Sequence, residues 1–373
     1  MAGAEALEKG GGGGKEQGML FEYTVKLLLL AGFLELVLYR LVSRLGMHLS
    51  KVAEKYESVR ITFKALSSIG FTLLNFVSLL VFLAIFLLLF NKIRAVGSGR
   101  YDALLIPSAS LLLLLTVAFL LFPPAMLGAV VYNTISFVVL AILVFEHLMT
   151  HQSQVQRAMV LCYFLGVSGW LYYQILSTAY GLLGLVAVPP LVHEINRAGE
   201  AMLVVASIVV FWAYGGTPLW TKNRRQRRRA ATFALVGGST FVALLFLDYF
   251  LALYDRALAE SVRKAGEGIG WIFQMGMGYS FYLPFAFYVT GLLCWAYTVV
   301  KLITLGRMAG FGLGLMFMAG YALQLSHLTL MVVLGLMLLN LDRRRTVALV
   351  SETVEDRPFS RAAAPLLGEQ TSP

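Results

Sequence analysis

The chain reads as an all-α protein, a polytopic integral membrane helical bundle of about nine transmembrane helices, with a range of about eight to ten. Three observations carry that reading. Leu104–Phe122, Gly128–Phe145 and Leu235–Leu253 each run almost without a charge. The 373 residues are 59% hydrophobic and only 13% charged, with a mean hydropathy of +0.77, which leaves little material for a soluble domain. A helix rising about 1.5 Å per residue needs about 20 apolar residues to cross about 30 Å of hydrocarbon, and only hydrogen-bonded helices satisfy their backbone there.

Residues 1–18 carry a run of glycines, Gly10–Gly14, and no basic start followed by an apolar core, so they read as a flexible tail rather than a secretory signal. Crossings are expected near 20–38, 65–90, 103–122, 125–147, 158–188, 199–217, 231–254, 279–300 and 309–340. Between the first two, Leu41, Leu45, Leu49, Val52, Tyr56, Val59 and Phe63 recur at helical spacing among Arg40, Arg44, Lys51 and Lys55, which predicts an amphipathic linker helix over 40–64. Pro123-Pro124 leaves almost no loop between the third and fourth crossings, and Pro189-Pro190 ends the fifth, with a helix restarting close to Leu191. The stretches 268–300 and 308–341 are each longer than one crossing needs and too short for two with a turn between. Residues 342–373 read as a disordered tail.

The orientation signal is divided. The loop 220–230 holds six basic residues, Lys222 to Arg229, and is placed in the cytoplasm. Nine strict crossings then put both the 40–64 linker and Arg343–Arg345 outside. A further crossing hidden within 268–341 would bring the tail back. The basic run has no aromatic interleaving, so nucleic acid is not an expected partner. The lipid bilayer is, and the plasma membrane of a prokaryote is the expected location.

Ionisable groups at membrane depth are costly and mark candidate sites. Asp248, in Leu245-Phe-Leu-Asp-Tyr-Phe-Leu251, is the foremost candidate for a proton or cation site. His327, beside Gln324, Ser326 and Thr329, is the second, and Glu35 in the first crossing is the third. His193, Arg197 and Glu200 follow one another at i, i+4 and i+7, so one helical face could offer an anion a guanidinium flanked by two titratable groups. Glu22 and Lys26 have the spacing of a surface pair.

His147 and His151 have metal-ligand spacing but lack further ligands, so no metal is assigned; a haem is a cofactor the histidines could serve. Ser168, Tyr172, Tyr173, Gln174 and Ser177 could line a polar cavity in the fifth crossing. Gly306, Gly310 and Gly314 form a small-xxx-small series, with Gly312 and Gly320 beside it, that predicts close helix approach within the chain or in a homo-oligomer. Cys162 and Cys294 are unpaired thiols in apolar segments. No GxxxxGK[ST], HExxH or GxSxG is present, so no enzyme is assigned. Transport of a small solute or ion, with coupling to a proton allowed by these groups, is the leading expectation. The alternative is a membrane anchor of a larger redox complex holding haem or quinone.

Overall fold

The computed structural model describes residues 18–35, 57–96, 99–122, 126–149, 153–185, 188–214, 223–243, 270–304, 307–321 and 327–355. They form ten helices and no strand: α1 (18–35), α2 (Glu57–Val96), α3 (Asp102–Leu121), α4 (Met126–Met149), α5 (Gln154–Leu182), α6 (Pro190–Ala213), α7 (224–243), α8 (Gly270–Ile303), α9 (Met308–Tyr321) and α10 (Leu328–Glu355). Six of them contain a stretch long and apolar enough to cross a membrane: Thr72–Arg94, Asp102–Phe119, Leu127–Met149, Gln154–Leu182, Pro190–Ala213 and Ala286–Ile303. The all-helical membrane bundle expected from composition is the fold observed. The first and seventh expected crossings begin in α1 and α7 and continue beyond the described residues. So does the amphipathic linker, whose residues 57–64 form the start of α2.

Local chemistry sets the helix ends. Phe122, which precedes Pro123, takes φ −132° and ψ 129° and stops α3, because a residue before proline is driven out of the helical region. Ser153 and Gln156 form a reciprocal capping box that starts α5. The same helix ends at Leu182, short of the expected 188. Gly184 adopts φ +68°, and the N–H groups of Gly184 and Leu185 return to the carbonyls of Gly181 and Tyr180, which is a Schellman stop that glycine makes easy. Pro190 then occupies the first turn of α6, where its missing N–H costs nothing.

The main departure from expectation is the region 309–340, which is not one crossing but a hairpin. A Cβ built on Gly312 would lie 2.8 Å from the carbonyl oxygen of Gly335, so α9 and α10 pack antiparallel, backbone against backbone. α9 has 14 residues and rises only about 21 Å, less than the hydrocarbon thickness. Every residue from Ala309 to Gly320 and from His327 to Leu341 is buried. A helix apolar all round belongs in the interior, and this hairpin is the centre of the bundle.

The other helices gather on it. Phe21 of α1 meets Phe311 edge-on at 6.4 Å, Gly32 of α1 receives the Met318 side chain, and Phe211 of α6 meets Phe317 at 6.1 Å. Gly320 lies so close to Ser207 and the Leu203 carbonyl of α6 that no side chain fits there. The close approaches of α9 thus use Gly312 and Gly320. Gly314 makes only ordinary contact, 3.9 Å to Leu29 and Ile303, and Gly306 lies outside the described residues. Gly310 and Gly314 are buried within their own chain, the first of the two outcomes that the glycine series allowed. α5 and α6 form a second tight pair through Gly166, Gly169 and Gly199.

The direction of each helix follows. Tyr101 meets Phe145 and Phe119 meets Tyr132 in the α3–α4 pair, and Tyr173 meets His193 in the α5–α6 pair, all antiparallel. Phe233 against Tyr297 and Phe241 against Tyr288 do the same for α7 and α8. The start of α1 meets the end of α2, where Lys92 lies 4.0 Å over the Phe21 ring. Helices therefore alternate, and the extra turn in 309–340 brings Arg343–Arg345 to the face that carries Arg94, Arg100, Arg157 and the arginines of 224–229. The tail and the basic loop no longer conflict, and we refer to this as the basic face.

Two outcomes test this. Single cysteines placed at 18 and at 346, in a chain lacking Cys162 and Cys294, should be labelled by an impermeant maleimide from the same side as one at 223, and one at 185 from the other; the positive-inside rule makes the first side cytoplasmic. Gly166→Leu should separate α5 from α6 and lower stability by about 1–3 kcal/mol, measured by thermal unfolding in detergent.

Candidate functional site

Two sequence candidates, Glu35 and His327, meet in the interior. Glu35 ends the described part of α1, is fully buried, and accepts a 3.4 Å hydrogen bond on Oε2 from the Ser78 hydroxyl of α2. His327 begins the α10 arm of the hairpin and is 5% exposed. Its Nε2 donates to Asn75 Oδ1 at 3.1 Å and stands 3.8 Å from Glu35 Oε1. Glu35 Oε1 has no hydrogen-bond partner among the described residues. Asn75, Ser78 and Phe82 lie at i, i+3 and i+7, so one face of α2 supplies the amide, the hydroxyl and the ring that packs on His327 at 5.5 Å between centroids.

The arrangement has the chemistry to take up and release a proton. Desolvating an isolated carboxylate costs several kcal/mol, so a buried carboxyl persists either neutral or beside a cation. An imidazole within ion-pair range can supply that cation by taking up a proton, and release it by losing one. The unmade bond between Oε1 and Nε2 leaves room for a small side-chain rotation to close it, in exchange for the bond to Asn75.

The remaining candidates fall elsewhere. Asp248 lies outside the described residues. His193 and Arg197 are exposed at the start of α6, and Arg197 pairs with its neighbour Glu194 at 2.8 Å, both more than half exposed. Glu200 is buried and takes a 3.2 Å hydrogen bond from Asn196. The three residues therefore do not share one environment, because α6 turns Glu200 into the bundle and leaves the other two outside it. His147 donates from Nδ1 to Asn340 Oδ1 at 2.9 Å, His151 lies outside the described residues, and no cluster of three metal-ligating side chains occurs among the described ones. Ser168 and Ser177 donate to the carbonyls of Phe164 and Gln174 in their own helix rather than to a cavity. Glu22 and Lys26 pair at 2.6 Å, as their spacing predicts.

A second polar cluster, not anticipated as a unit, fastens the other end of α10. Arg344 binds Asp102 of α3 with two parallel hydrogen bonds, Nη1 to Oδ2 at 3.0 Å and Nη2 to Oδ1 at 2.8 Å. It also binds Oε1 of Glu146 on α4, from Nε at 2.9 Å and from Nη2 at 2.5 Å. Asn340, one turn earlier, donates to the other Glu146 oxygen and to the Leu143 carbonyl. The Gly99 N–H completes Asp102, and a side chain at Gly99 would overlap the guanidinium. One arginine thus joins three helices through a fork that only a guanidinium provides. The side chains of Asp102 and Glu146 are 4% and 8% exposed, so removing the cation would strand both charges.

Arg344→Met should therefore destabilise the protein by about 3–5 kcal/mol, whereas Arg344→Met with Asp102→Asn and Glu146→Gln should recover most of that loss. Denaturant titration of the three proteins would measure it, and an unchanged midpoint for Arg344→Met would remove the clamp from the account. Protein-family models, curated proteins and solved structures were each compared with the chain, and none of them matches it.

Proposed function

We propose that this membrane protein moves a small solute or ion across the plasma membrane of a prokaryote, coupled to a proton that Glu35 and His327 exchange. The observation that supports the reading is the 3.8 Å approach of two ionisable side chains on different helices, both buried inside the bundle. Intramembrane charges are retained mainly where they serve a pathway, because an apolar pair packs a bundle at lower cost. His193 and Arg197, exposed at the start of α6, form the vestibule in this reading, with Glu200 one turn further in. Asp248 is assigned to the same pathway on its position in an apolar run.

The redox-anchor alternative needs two histidines facing one iron. Asn340, which holds His147, and His327 are separated by a rise of about 20 Å along α10, far too much for shared axial ligation. That separation favours transport over a haem held by these two residues.

The test is proton flux in proteoliposomes carrying an internal pH dye. Glu35→Gln should lower flux at least about tenfold, the effect of removing the acid of the Glu35–His327 pair, while leaving thermal stability equal or higher, since a buried carboxyl is replaced by a neutral isostere. His327→Asn and Asp248→Asn should each reduce flux. Wild-type flux in a folded Glu35→Gln protein would sink the proposal.

A further inference from the structure

We infer that the groove between α7 and α8 at the basic face is a seat for one anionic phospholipid. α7 presents Arg229, Phe233 and Val236 at i, i+4 and i+7, and α8 presents Lys301, Tyr297 and Leu293 at i, i−4 and i−8, running in the opposite direction. The two stripes lie side by side. Phe233 and Tyr297 have centroids 4.3 Å apart, and one turn deeper the helices touch at Gly237, where a Cβ would be 3.1 Å from the Cys294 Cβ.

The seat is therefore layered. Arg229 and Lys301 each stand one turn nearer the basic face than their aromatic neighbour, and the Lys301 ammonium is 5.6 Å from the Tyr297 ring. The aromatic pair lies beneath them, at the level where amphipathic rings favour an interface. Below it, Val236 and Leu293 face out of the bundle, 43% and 66% exposed. A phosphate above, a glycerol against the rings and an acyl chain along the apolar stripe would match these three layers in order.

Electrostatics selects the sign of the headgroup. Arg229 and Lys301 have no acidic partner among the described residues, nor do the exposed Arg224, Arg225 and Arg228. These arginines also crowd the first turns of α7, where the helix dipole is itself positive. Placing cations there is unfavourable unless an anion is held among them, and the leaflet supplies one at the right depth.

The experiment is lipid binding to the purified full-length protein in detergent, read by native mass spectrometry and by thermal unfolding, with phosphatidylglycerol, phosphatidylcholine of the same chains, and inorganic phosphate as probes. Phosphatidylglycerol should bind and raise the unfolding temperature, and the other two should not. Arg229→Gln with Lys301→Gln should bind it about 30-fold more weakly with the lipid-free unfolding temperature unchanged. The charge-conserving Arg229→Lys with Lys301→Arg should retain binding, and so should Arg94→Gln with Arg100→Gln, which alters the basic face elsewhere. An equal response to phosphatidylcholine would show that the chains alone bind. An equal response to inorganic phosphate would show an anion site without a lipid. Full binding by the Arg229→Gln, Lys301→Gln protein would place the lipid elsewhere. Each of these three results overturns the inference.

Discussion

Enclosure of the α9–α10 hairpin is the constraint on which the rest of the bundle depends. Its residues from Ala309 to Gly320 and from His327 to Leu341 are buried on every side and reach neither water nor lipid, so their backbone must be satisfied within their own helices and their surface must be filled by neighbours. Glycine solves the first contact, because Gly312 and Gly335 let the two arms meet at backbone distance. Large side chains solve the second, with Phe311, Phe317 and Met318 each projecting toward a surrounding helix. Between lipid-facing helices there is no hydrophobic driving force of the aqueous kind, so close packing of this sort and polar ties must hold the assembly together.

Polar ties lie at both ends of the buried part of α10. His327 begins this arm and Arg344 lies just past Leu341, where the buried run ends, with a rise of about 25 Å between them. The Arg344 end is saturated: each carboxylate oxygen of Asp102 and Glu146 has a donor, and the guanidinium is held by two acids from two helices. The His327 end is not, since the nearest acid oxygen stands 3.8 Å away without a hydrogen bond among the described residues. A saturated network fixes geometry, and a buried network with a bond left unmade has a second partner within reach. The same helix thus has one end built to stay and one built to change partners.

What the sequence makes legible follows from what is local. Apolar length reveals the class, and Pro189-Pro190 reveals the start of α6, because hydrophobic thickness and proline geometry act within one segment. The hairpin is hidden for the opposite reason. The apolar part of each arm is shorter than a full crossing needs, and the residues between them, 322–326, contain no Gly, Pro, Asn or Asp to mark a turn, so 309–340 resembles one long helix. Glu35 and His327 stand out singly as ionisable groups in apolar runs. Their association with each other and with Asn75 and Ser78 is not periodic in any segment; the His327–Asn75 contact alone joins residues 252 positions apart. Asp102, Glu146 and Arg344 are less visible still. Each sits near the end of an apolar stretch, where a charge ordinarily marks only the water boundary, and Glu146 beside His147 suggests metal spacing instead.

The contrast between the two clusters also bears on why Glu35 is there at all. If its role were to hold α1 against the hairpin, the Phe21–Phe311 contact and the fit of Met318 against Gly32 already do so, and leucine at 35 would add apolar contact without desolvating a carboxyl. A structural acid is expected to look like Glu146, with both oxygens bonded and a fixed cation beside it. Glu35 instead has one long hydrogen bond from Ser78 and a neighbour whose charge depends on a proton. That combination is poor as a fastener and suits a group that gains and loses a proton, which is the physical reason to assign the proposed proton exchange to Glu35 and His327 and the fastening to Arg344.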